Sequence, residues 1–174
     1  MLKKAYKGSI YVGIDPGLDT TGYGVLECSG DHVKLKEAGV IKTRRRLPLE
    51  ERLAEIFSSL NEVFDEYKPR LVVIEDLYSH YRHPKTAIIM GHARGAVFLS
   101  AAHSKIPVKS YGATMVKKSL TGNGRASKHQ VQYMVRDKLG LNNIPESPDV
   151  ADALAVALCH INHLNNKRET IIDF

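Results

Sequence analysis

Apolar and polar positions alternate at the start of the chain. From Ile10 to Ile14 every second residue is a β-branched apolar one, and Pro16-Gly17 follow directly. This period of two predicts a β-strand that stops at Pro16. The strand carries one carboxylate, Asp15, to its carboxyl end, where open α/β sheets collect their ligands. Taken alone, Asp15 is explained equally well as a turn residue before Pro-Gly.

Two more strands are predicted directly after the first. They cover residues 20–26 and about 33–41, separated by a turn at Gly30-Asp31. Such short connections predict an antiparallel meander. Gly22 and Gly24 leave one face of the second strand without side chains. That face either packs closely against a helix or leaves room for a substrate near Asp15.

A long helix and a buried strand come next. Apolar residues recur at helical spacing between residues 48 and 67, and the unbroken apolar run 71–74 then predicts a strand buried on both faces. A helical crossover makes this strand parallel to the first. If the two strands are neighbours, about 4.8 Å apart, Asp15 and Glu75 end side by side. Two carboxylates so close repel each other unless a cation or a proton lies between them.

The second half of the chain reads mainly as helices. A helix over residues 86–104 is apolar nearly all round, which indicates burial on more than one side. A short strand begins at Pro107, a helix covers residues 113–120, and Ser127 with Gln130 forms a capping box for the next helix. The whole pattern predicts an α/β fold with a five-stranded mixed sheet, three antiparallel strands and then two parallel ones, flanked by helices.

The last predicted helix supplies two more acids. Asp149 and Asp152 share one face of a helix that begins at Pro148. An acid at position 149 is favourable near a helix N-terminus for dipole reasons alone. Asp152, in contrast, lies inside the apolar run 150–158, with no Lys or Arg within two helical turns. A buried carboxylate needs a compensating partner, and we expect that partner to be a metal ion.

Charge is distributed unevenly along the chain. The net charge is +6, and between Asp76 and Asp137 there is no acidic residue. We interpret this segment as a phosphate-binding face. Its basic residues are Arg82, Lys85, Arg94, Lys105, Lys109, Lys117, Lys118, Arg125, Lys128 and Arg136.

Length and composition indicate the number of domains, the cellular location and the state of the cysteines. At 174 residues, of which 43% are hydrophobic, the chain is expected to form a single domain. It has no apolar run of membrane-spanning length and no signal region, so we expect a cytoplasmic protein without a membrane partner. Cys28 and Cys159 lack metal-ligand spacing and are expected to be reduced thiols.

The four carboxylates together predict a metal-dependent nuclease. Oxygen ligands without Cys or clustered His favour Mg²⁺ or Mn²⁺ over zinc. Two such ions beside a basic surface can position a water and stabilise the leaving oxygen in phosphodiester hydrolysis. We therefore expect Mg²⁺, with two ions per active site and Mn²⁺ as a substitute. The acids are Asp15, Glu75, Asp149 and Asp152.

Several motifs follow one another in order, with suitable spacing, from about Ile10 to His163. They are Gly13-Ile14-Asp15-Pro16-Gly17, Thr21-Gly22-Tyr23-Gly24, Val73-Ile74-Glu75, Gly91-His92-Ala93-Arg94-Gly95, the segment 116–124 and Asp149-Val150-Ala151-Asp152-Ala153-Leu154-Ala155. Together these motifs resemble those of the RuvC family of bacterial Holliday junction resolvases. The resemblance implies an RNase H-like fold and a homodimer that nicks two strands of a four-way junction symmetrically. It also implies the branch-migration motor RuvA–RuvB as a partner.

The resemblance also assigns roles to individual residues. The family's catalytic acids map onto the four carboxylates, its junction-contacting aromatic onto Tyr78, and its basic DNA-contacting residues onto Lys117 and Lys128. To these, charge and position add Arg82, Lys85, Lys118 and Arg125 as expected DNA contacts. The loop 79–84 departs from the family's pattern. The basic extension 1–9 and the tail 165–174 lie outside the match.

Two other functions remain to be weighed. A non-catalytic junction-binding protein on the same fold is the alternative, and loss of one of the four acids would favour it. An actin-like ATPase has a similar first motif but needs a duplicated fold, for which 174 residues are too few.

The apolar helix over residues 86–104 predicts how the dimer forms. Gly91 and Gly95 are four residues apart and form a flat stripe. We expect this stripe to meet its own copy across a two-fold axis. The alternative is that it packs against the chain's own sheet.

Overall fold

The computed structural model describes residues 8–76 and 84–172, with the backbone alone for Pro84 and residues 167–172. The strands are β1 (Ser9–Asp15), β2 (Thr20–Ser29), β3 (His32–Lys42), β4 (Leu71–Glu75) and β5 (Val108–Tyr111). The helices are α1 (Leu49–Tyr67), α2 (Pro84–His103), α3 (Ala113–Thr121), α4 (Lys128–Leu139) and α5 (Pro148–Ile172).

The five strands form one mixed sheet in the order β3-β2-β1-β4-β5. β1, β2 and β3 are antiparallel neighbours, whereas β4 runs parallel to β1 and β5 parallel to β4. The predicted sheet, with three antiparallel strands and then two parallel ones, is therefore confirmed. Ile14 pairs with Ile74 in the β1–β4 ladder. This register brings the next residues, Asp15 and Glu75, to adjacent strand ends, as predicted.

Helices cover both faces of the sheet. On one face, Tyr11, Val73 and Leu26 pack in a core with α3, α4 and α5. On the other face, Ile14 and Ile74 pack in a second core with α1 and α2. Alternate residues of β1 and β4 thus enter different cores, because successive side chains of a strand point to opposite faces. We call these the α5 face and the α2 face of the sheet.

Helix α2 leaves a hydrophobic surface exposed. Ala93, Val97 and Ala101 are fully buried against the second core, whereas Ile88 and Leu99 on the opposite side are 61% and 62% exposed. A Cβ added at Gly91 or Gly95 would have no heavy atom within 4 Å. The glycine stripe therefore does not pack against the chain's own sheet. We call the surface formed by Ile88, Gly91, His92, Gly95, Phe98, Leu99 and Ala102 the outer face of α2.

The start of α4 and the end of α5 can be compared with the predictions from the sequence. The capping box at the start of α4 is present, with Ser127 and Gln130 each binding the other's backbone N–H. Helix α5 continues to Ile172, so most of the segment 165–174, expected as a tail, extends this helix.

Among the described helices, none combines the length and the apolar character needed to cross a bilayer.

Candidate active site

The two acids on the strand ends face the same helix. Gly13 lies against the main chain of Ala153 in α5. Asp15, two residues further along β1, therefore also faces α5. Glu75 follows Val73 by two residues, and Val73 belongs to the core on the α5 face. Both carboxylates consequently lie at one edge of the sheet, beside the N-terminal part of α5.

Glycines bring α5 close to these strands. A Cβ at Gly22 would lie 2.2 Å from the Asp149 carbonyl oxygen, and a Cβ at Gly13 would lie 1.9 Å from that of Ala153. A Cβ at Gly24 would lie 2.3 Å from Leu154 Cδ2. The glycine face of β2 thus serves close helix packing and is not an open space for substrate. Since Gly22 is paired with Asp15 in the β1–β2 ladder, this packing also places Asp149 beside Asp15.

The acids influence one another electrostatically. Burial, followed by the charges of Asp152, Asp149 and Glu75, raises the pKa of Asp15 to about 7. The pKa of Glu75 is also raised, first by burial and then by the charge of Asp152. These effects indicate that the other three carboxylates lie near Asp15. The structure therefore brings together the four acids that the sequence singled out.

Asp152 has a cationic partner that the sequence did not predict. Lys128 Nζ donates a hydrogen bond to Asp152 Oδ2 at 2.7 Å, and the side chain of Asp152 is 29% exposed. The expectation that Asp152 is fully buried is therefore wrong, whereas a metal ion as its further partner stays a prediction. Spacing along α5 alone does not show this partner, because Lys128 comes from the first turn of α4. Lys128, which is expected as a DNA contact, lies beside the acidic cluster with its side chain 57% exposed.

The chemistry of this cluster suits a hard divalent cation. Its donors are carboxylate oxygens, which Mg²⁺ and Mn²⁺ prefer. A cation between them would also relieve the repulsion that raises the pKa of Asp15. Within the described ranges, no three Asp, Glu, His or Cys side chains are close enough to enclose a metal as they stand. The residues fit the ion by donor type and charge, and Asp152 is shared with Lys128.

The expected DNA contacts differ in where they lie. Lys117 is near enough to Glu75 to lower the pKa of that carboxyl, although burial outweighs this effect. Lys118 and Arg125 are exposed on α3 and the loop after it, and Lys85 is exposed in the first turn of α2. Tyr78 and Arg82 lie outside the described residues. The structure thus brings Lys117 and Lys128 to the acids and leaves the other three cations on the surface.

Arg94 does not belong to the basic surface. Its side chain is only 12% exposed, and its guanidinium group donates hydrogen bonds to the Glu75 carbonyl oxygen and to Ser110 Oγ. The expectation that Arg94 belongs to the phosphate-binding face is therefore wrong, because charge along a sequence does not show which way a side chain points. One sequence signal was available, since Arg94 lies between Ala93 and Gly95 in a helix that is otherwise strongly apolar.

A second buried polar contact, between Tyr111 and His160, is also not predicted by the sequence. Tyr111 Oη and His160 Nδ1 are 2.8 Å apart in the core on the α5 face. Tyr111 pairs with Glu75 in the β4–β5 ladder, and His160 lies on α5. Burial is the main cause that raises the pKa of Tyr111, to about 12. This contact ties the helix that carries Asp149 and Asp152 to the strand beside Glu75.

A cleft of about 420 Å³ adjoins Asp149. Its walls come from the β1–β2 loop, from α1 and from α2, and they include Leu18, Thr20, Arg52 and Ile89. Of the four acids, Asp149 is the one that lines this cleft.

Comparison with known proteins identifies the family. The family described as crossover junction endodeoxyribonuclease RuvC matches residues 11–160. This chain belongs to the RuvC family. The crossover junction endodeoxyribonuclease RuvC of Rhodopirellula baltica is 52% identical over 158 residues, covering 91% of this chain and 89% of that protein. The protein of the same name from Desulforamulus reducens is 43% identical over 151 residues, covering 87% of this chain and 92% of its own length.

A solved structure agrees with this assignment. T. thermophilus RuvC in complex with a Holliday junction substrate superposes with a TM-score of 0.86 at 36% identity, covering 91% of this chain and 96% of that one. The fold is therefore the RNase H-like fold of RuvC. The activity is that of a crossover junction endodeoxyribonuclease, and the function is the resolution of Holliday junctions, within a family of metal-dependent nucleases.

Proposed function

We propose that this chain acts as a homodimer that nicks two strands of a four-way junction symmetrically, with one acidic cluster per protomer. The observation that carries the proposal is the electrostatic coupling of Asp15 to Asp152, Asp149 and Glu75 at the edge of the sheet. A junction-binding protein without activity has no need of four mutually repelling acids. Such a cluster destabilises the fold unless a cation binds to it.

The four acids would hold two Mg²⁺ ions, for which Mn²⁺ can substitute. When bound, such ions supply positive charge that activates a water and stabilises the leaving oxygen of the phosphodiester. The chain's own contribution is to fix the acids on rigid elements. Two lie on strand ends and two on one face of α5, which close packing on Gly13, Gly22 and Gly24 holds against the sheet. Preorganisation of this kind avoids reorganisation of the site during the reaction.

Lys117 and Lys128 extend the site toward the DNA. Lys128 neutralises part of the charge of Asp152 through their ion pair, and Lys117 offsets part of the rise in the pKa of Glu75 that burial causes. Both ammonium groups thus reduce the repulsion that four acids would exert on a phosphate. From this position the exposed Lys118 and Arg125 continue the positive surface outward. We infer that one DNA arm follows α3, the loop after it and the start of α4, since positive charge tracks the phosphate backbone.

Three further proposed DNA contacts are supported by exposure or by the sequence alone. Lys85 is exposed at the start of α2 and can meet a phosphate. Tyr78 and Arg82 lie between β4 and α2, outside the described residues. We retain Tyr78 as the aromatic that stacks on an unpaired base and Arg82 as a backbone contact. Base stacking of this kind is worth about 1–3 kcal/mol and does not need the tyrosine hydroxyl.

The outer face of α2 is the proposed dimer interface. It exposes Ile88, Phe98 and Leu99 on either side of the two glycines. A two-fold axis through this face would bring each helix against its own copy. Two active sites related by that axis can each meet one of two like strands of a junction. The family resemblance adds the RuvA–RuvB motor as a partner, and we place the activity in the cytoplasm.

The decisive experiment replaces Asp15 by Asn, which removes a charge and hardly changes shape. On a labelled four-way junction with Mg²⁺, we expect cleavage to fall by orders of magnitude, while junction binding survives or tightens. Asp31→Asn, in the exposed β2–β3 turn, is the control for loss of one negative charge and should cleave normally. If Asp15→Asn cleaves at the wild-type rate, the acidic cluster is not the catalytic centre.

A further inference from the structure

Arg94 connects α2 to the end of the strand that carries Glu75. Its Nη1 donates a hydrogen bond to the Glu75 carbonyl oxygen. Its Nη2 contacts Ser110 Oγ at 2.8 Å and Asp76 Oδ1 at 3.4 Å. One guanidinium group therefore contacts the proposed catalytic residue, the residue after it, and the neighbouring strand β5. These contacts are made at the point where β4 ends.

The direction of approach explains what Arg94 can do. Helix α2 packs on the α2 face of the sheet, together with Ile14 and Ile74. The Glu75 side chain points to the α5 face, so that Arg94 holds the main chain of this residue from behind and does not contact its carboxylate. Ser110 pairs with Ile74 in the β4–β5 ladder and is reached from the same face. The acidic cluster and the guanidinium group thus lie on opposite sides of the strand end.

We propose that Arg94 is a positioning residue for Glu75: it fixes the main chain at the end of β4 and thereby the place of the carboxylate in the cluster. This inference rests on the proposed catalytic role of Glu75. The ladder between β1 and β4 ends at Ile14 and Ile74, so β1 does not pair with Glu75, which pairs with Tyr111 of β5 on its other side. A planar guanidinium group can hold several acceptors in one fixed geometry, which a lysine cannot do.

Phe98 holds the guanidinium group from the outside. The Arg94 Cζ atom lies 5.1 Å from the centroid of the Phe98 ring, one helical turn further along α2. Phe98 itself belongs to the outer face of α2 and is 41% exposed. A partner on that face would shield the stacked ring from water and strengthen the cation–π contact. Arg94 therefore connects the proposed dimer interface to the acid on β4.

Arg52 provides a matched comparison within the same protein. It reaches from α1 to the β1–β2 loop, its side chain is 11% exposed, and it also binds a carbonyl oxygen, a hydroxyl group and a carboxylate. Its acceptors belong to Leu18, Thr43 and Asp19, and none of these is a proposed catalytic residue. Loss of Arg52 should therefore cost stability in the same way without displacing an acid of the cluster.

The test compares Arg94→Lys with Arg52→Lys. We would measure the unfolding free energy in chelator, the Mn²⁺ concentration at the midpoint of the cation-induced rise in melting temperature, and junction affinity without metal. We expect both variants to lose stability. Only Arg94→Lys should move the Mn²⁺ midpoint upward, by roughly tenfold, as loss of groups that orient metal ligands does. Junction affinity in chelator should change by less than about twofold, since the Arg94 side chain is only 12% exposed and offers little surface to a phosphate.

Cleavage adds a second readout. At saturating junction and metal, the single-turnover rate of Arg94→Lys should fall while the KM for the junction stays unchanged. If Arg94→Lys does not fold, Ser110→Ala removes one acceptor of the guanidinium group and should give a smaller shift of the Mn²⁺ midpoint in the same direction. An unshifted midpoint in the folded variant, or an equal shift in Arg52→Lys, overturns the inference.

The proposed function is tested separately by Glu75→Gln. If Glu75→Gln cleaves normally, the catalytic role of Glu75 fails, and the role of Arg94 fails with it. If Glu75→Gln is inactive and Arg94→Lys has a wild-type midpoint and rate, only the positioning role of Arg94 is refuted.

Discussion

Gly22 and Asp149 are in direct main-chain contact: a Cβ on Gly22 would lie 2.2 Å from the Asp149 carbonyl oxygen. Gly22 is also the ladder partner of Asp15. A residue without a side chain is therefore what sets the separation of two proposed catalytic acids. The position of α5 on the sheet and the geometry of the cluster are a single structural property.

Gly22→Ala should consequently damage both stability and cleavage. The obstructing atoms belong to the backbone of α5, which cannot rotate away, so the helix must shift. We expect a loss of about 1–3 kcal/mol in unfolding free energy, as overpacking costs, and a clear fall in the single-turnover rate. Gly112→Ala is the control, because a Cβ there has no neighbour within 4 Å and its φ is −68°. Equal behaviour of the two variants would show that α5 tolerates displacement.

The raised pKa of Asp15 predicts a pH dependence of stability in the absence of metal. The native pKa of about 7 lies above the ordinary value of 3.8 for this side chain, so the native state binds the proton more tightly than the unfolded state does. Protonation of Asp15 therefore adds to the unfolding free energy. This contribution is complete below about pH 4 and is lost as the pH rises to about 7. In chelator, wild-type stability should therefore fall across this window relative to that of Asp15→Asn. Urea unfolding at several pH values measures the unfolding free energies of the two proteins. A difference between them that stays constant with pH would contradict the raised pKa of Asp15.

The strand and helix elements followed from the sequence because their signals are local. The alternation from Ile10 to Ile14 and the apolar run 71–74 each predict one element, and the right-handed crossover then fixes how β1 and β4 pair. The cluster of acids followed from this pairing and from the spacing of Asp149 and Asp152. Most of the fold and the proximity of the four acids could thus be derived from periodicity and turn residues, whereas the catalytic role of these acids stays a prediction.

Contacts between distant segments could not be derived in this way. Lys128 and Asp152 are 24 residues apart, and Arg94 and Glu75 are 19 residues apart. Nothing in local spacing shows which of many basic side chains turns inward, because that depends on how helices dock on the sheet. Gly22 and Gly24 were equally ambiguous until the position of α5 was known.

The ion pair of Lys128 with Asp152 predicts a specific effect of Lys128→Met. Without the ammonium group the repulsion among the acids increases, so stability in chelator should fall, by about 1 kcal/mol for a partly exposed pair. Addition of Mg²⁺ should raise the unfolding free energy of Lys128→Met by more than it raises that of the wild type. Junction binding should weaken and show a smaller salt dependence. Lys138→Met, at the exposed end of α4, serves as the control. Equal effects of the two substitutions would place Lys128 on the surface with the other cations.

The outer face of α2 yields the last prediction. A Cβ at Gly91 meets no heavy atom within 4 Å, so a larger side chain fits the folded protomer without strain. Gly91→Leu should therefore leave a folded protein whose melting curve is cooperative. Against a second copy of α2, however, the same side chain would hold the two helices apart. We expect light scattering to show a dimer for the wild type and a monomer for Gly91→Leu at micromolar concentration.

Gly91→Ala is the matched control, since a single methyl group should weaken the dimer less than leucine does. The monomeric variant should still bind junction DNA through its basic surface. It should no longer cut two strands in a coordinated pair, because no symmetry axis then relates two active sites. Paired nicking is measured on a supercoiled plasmid with an extruded cruciform, where coordinated cuts give linear product and independent cuts give nicked circles. A wild-type monomer, or a Gly91→Leu variant that still dimerises, would require another explanation for the exposed Ile88, Phe98 and Leu99.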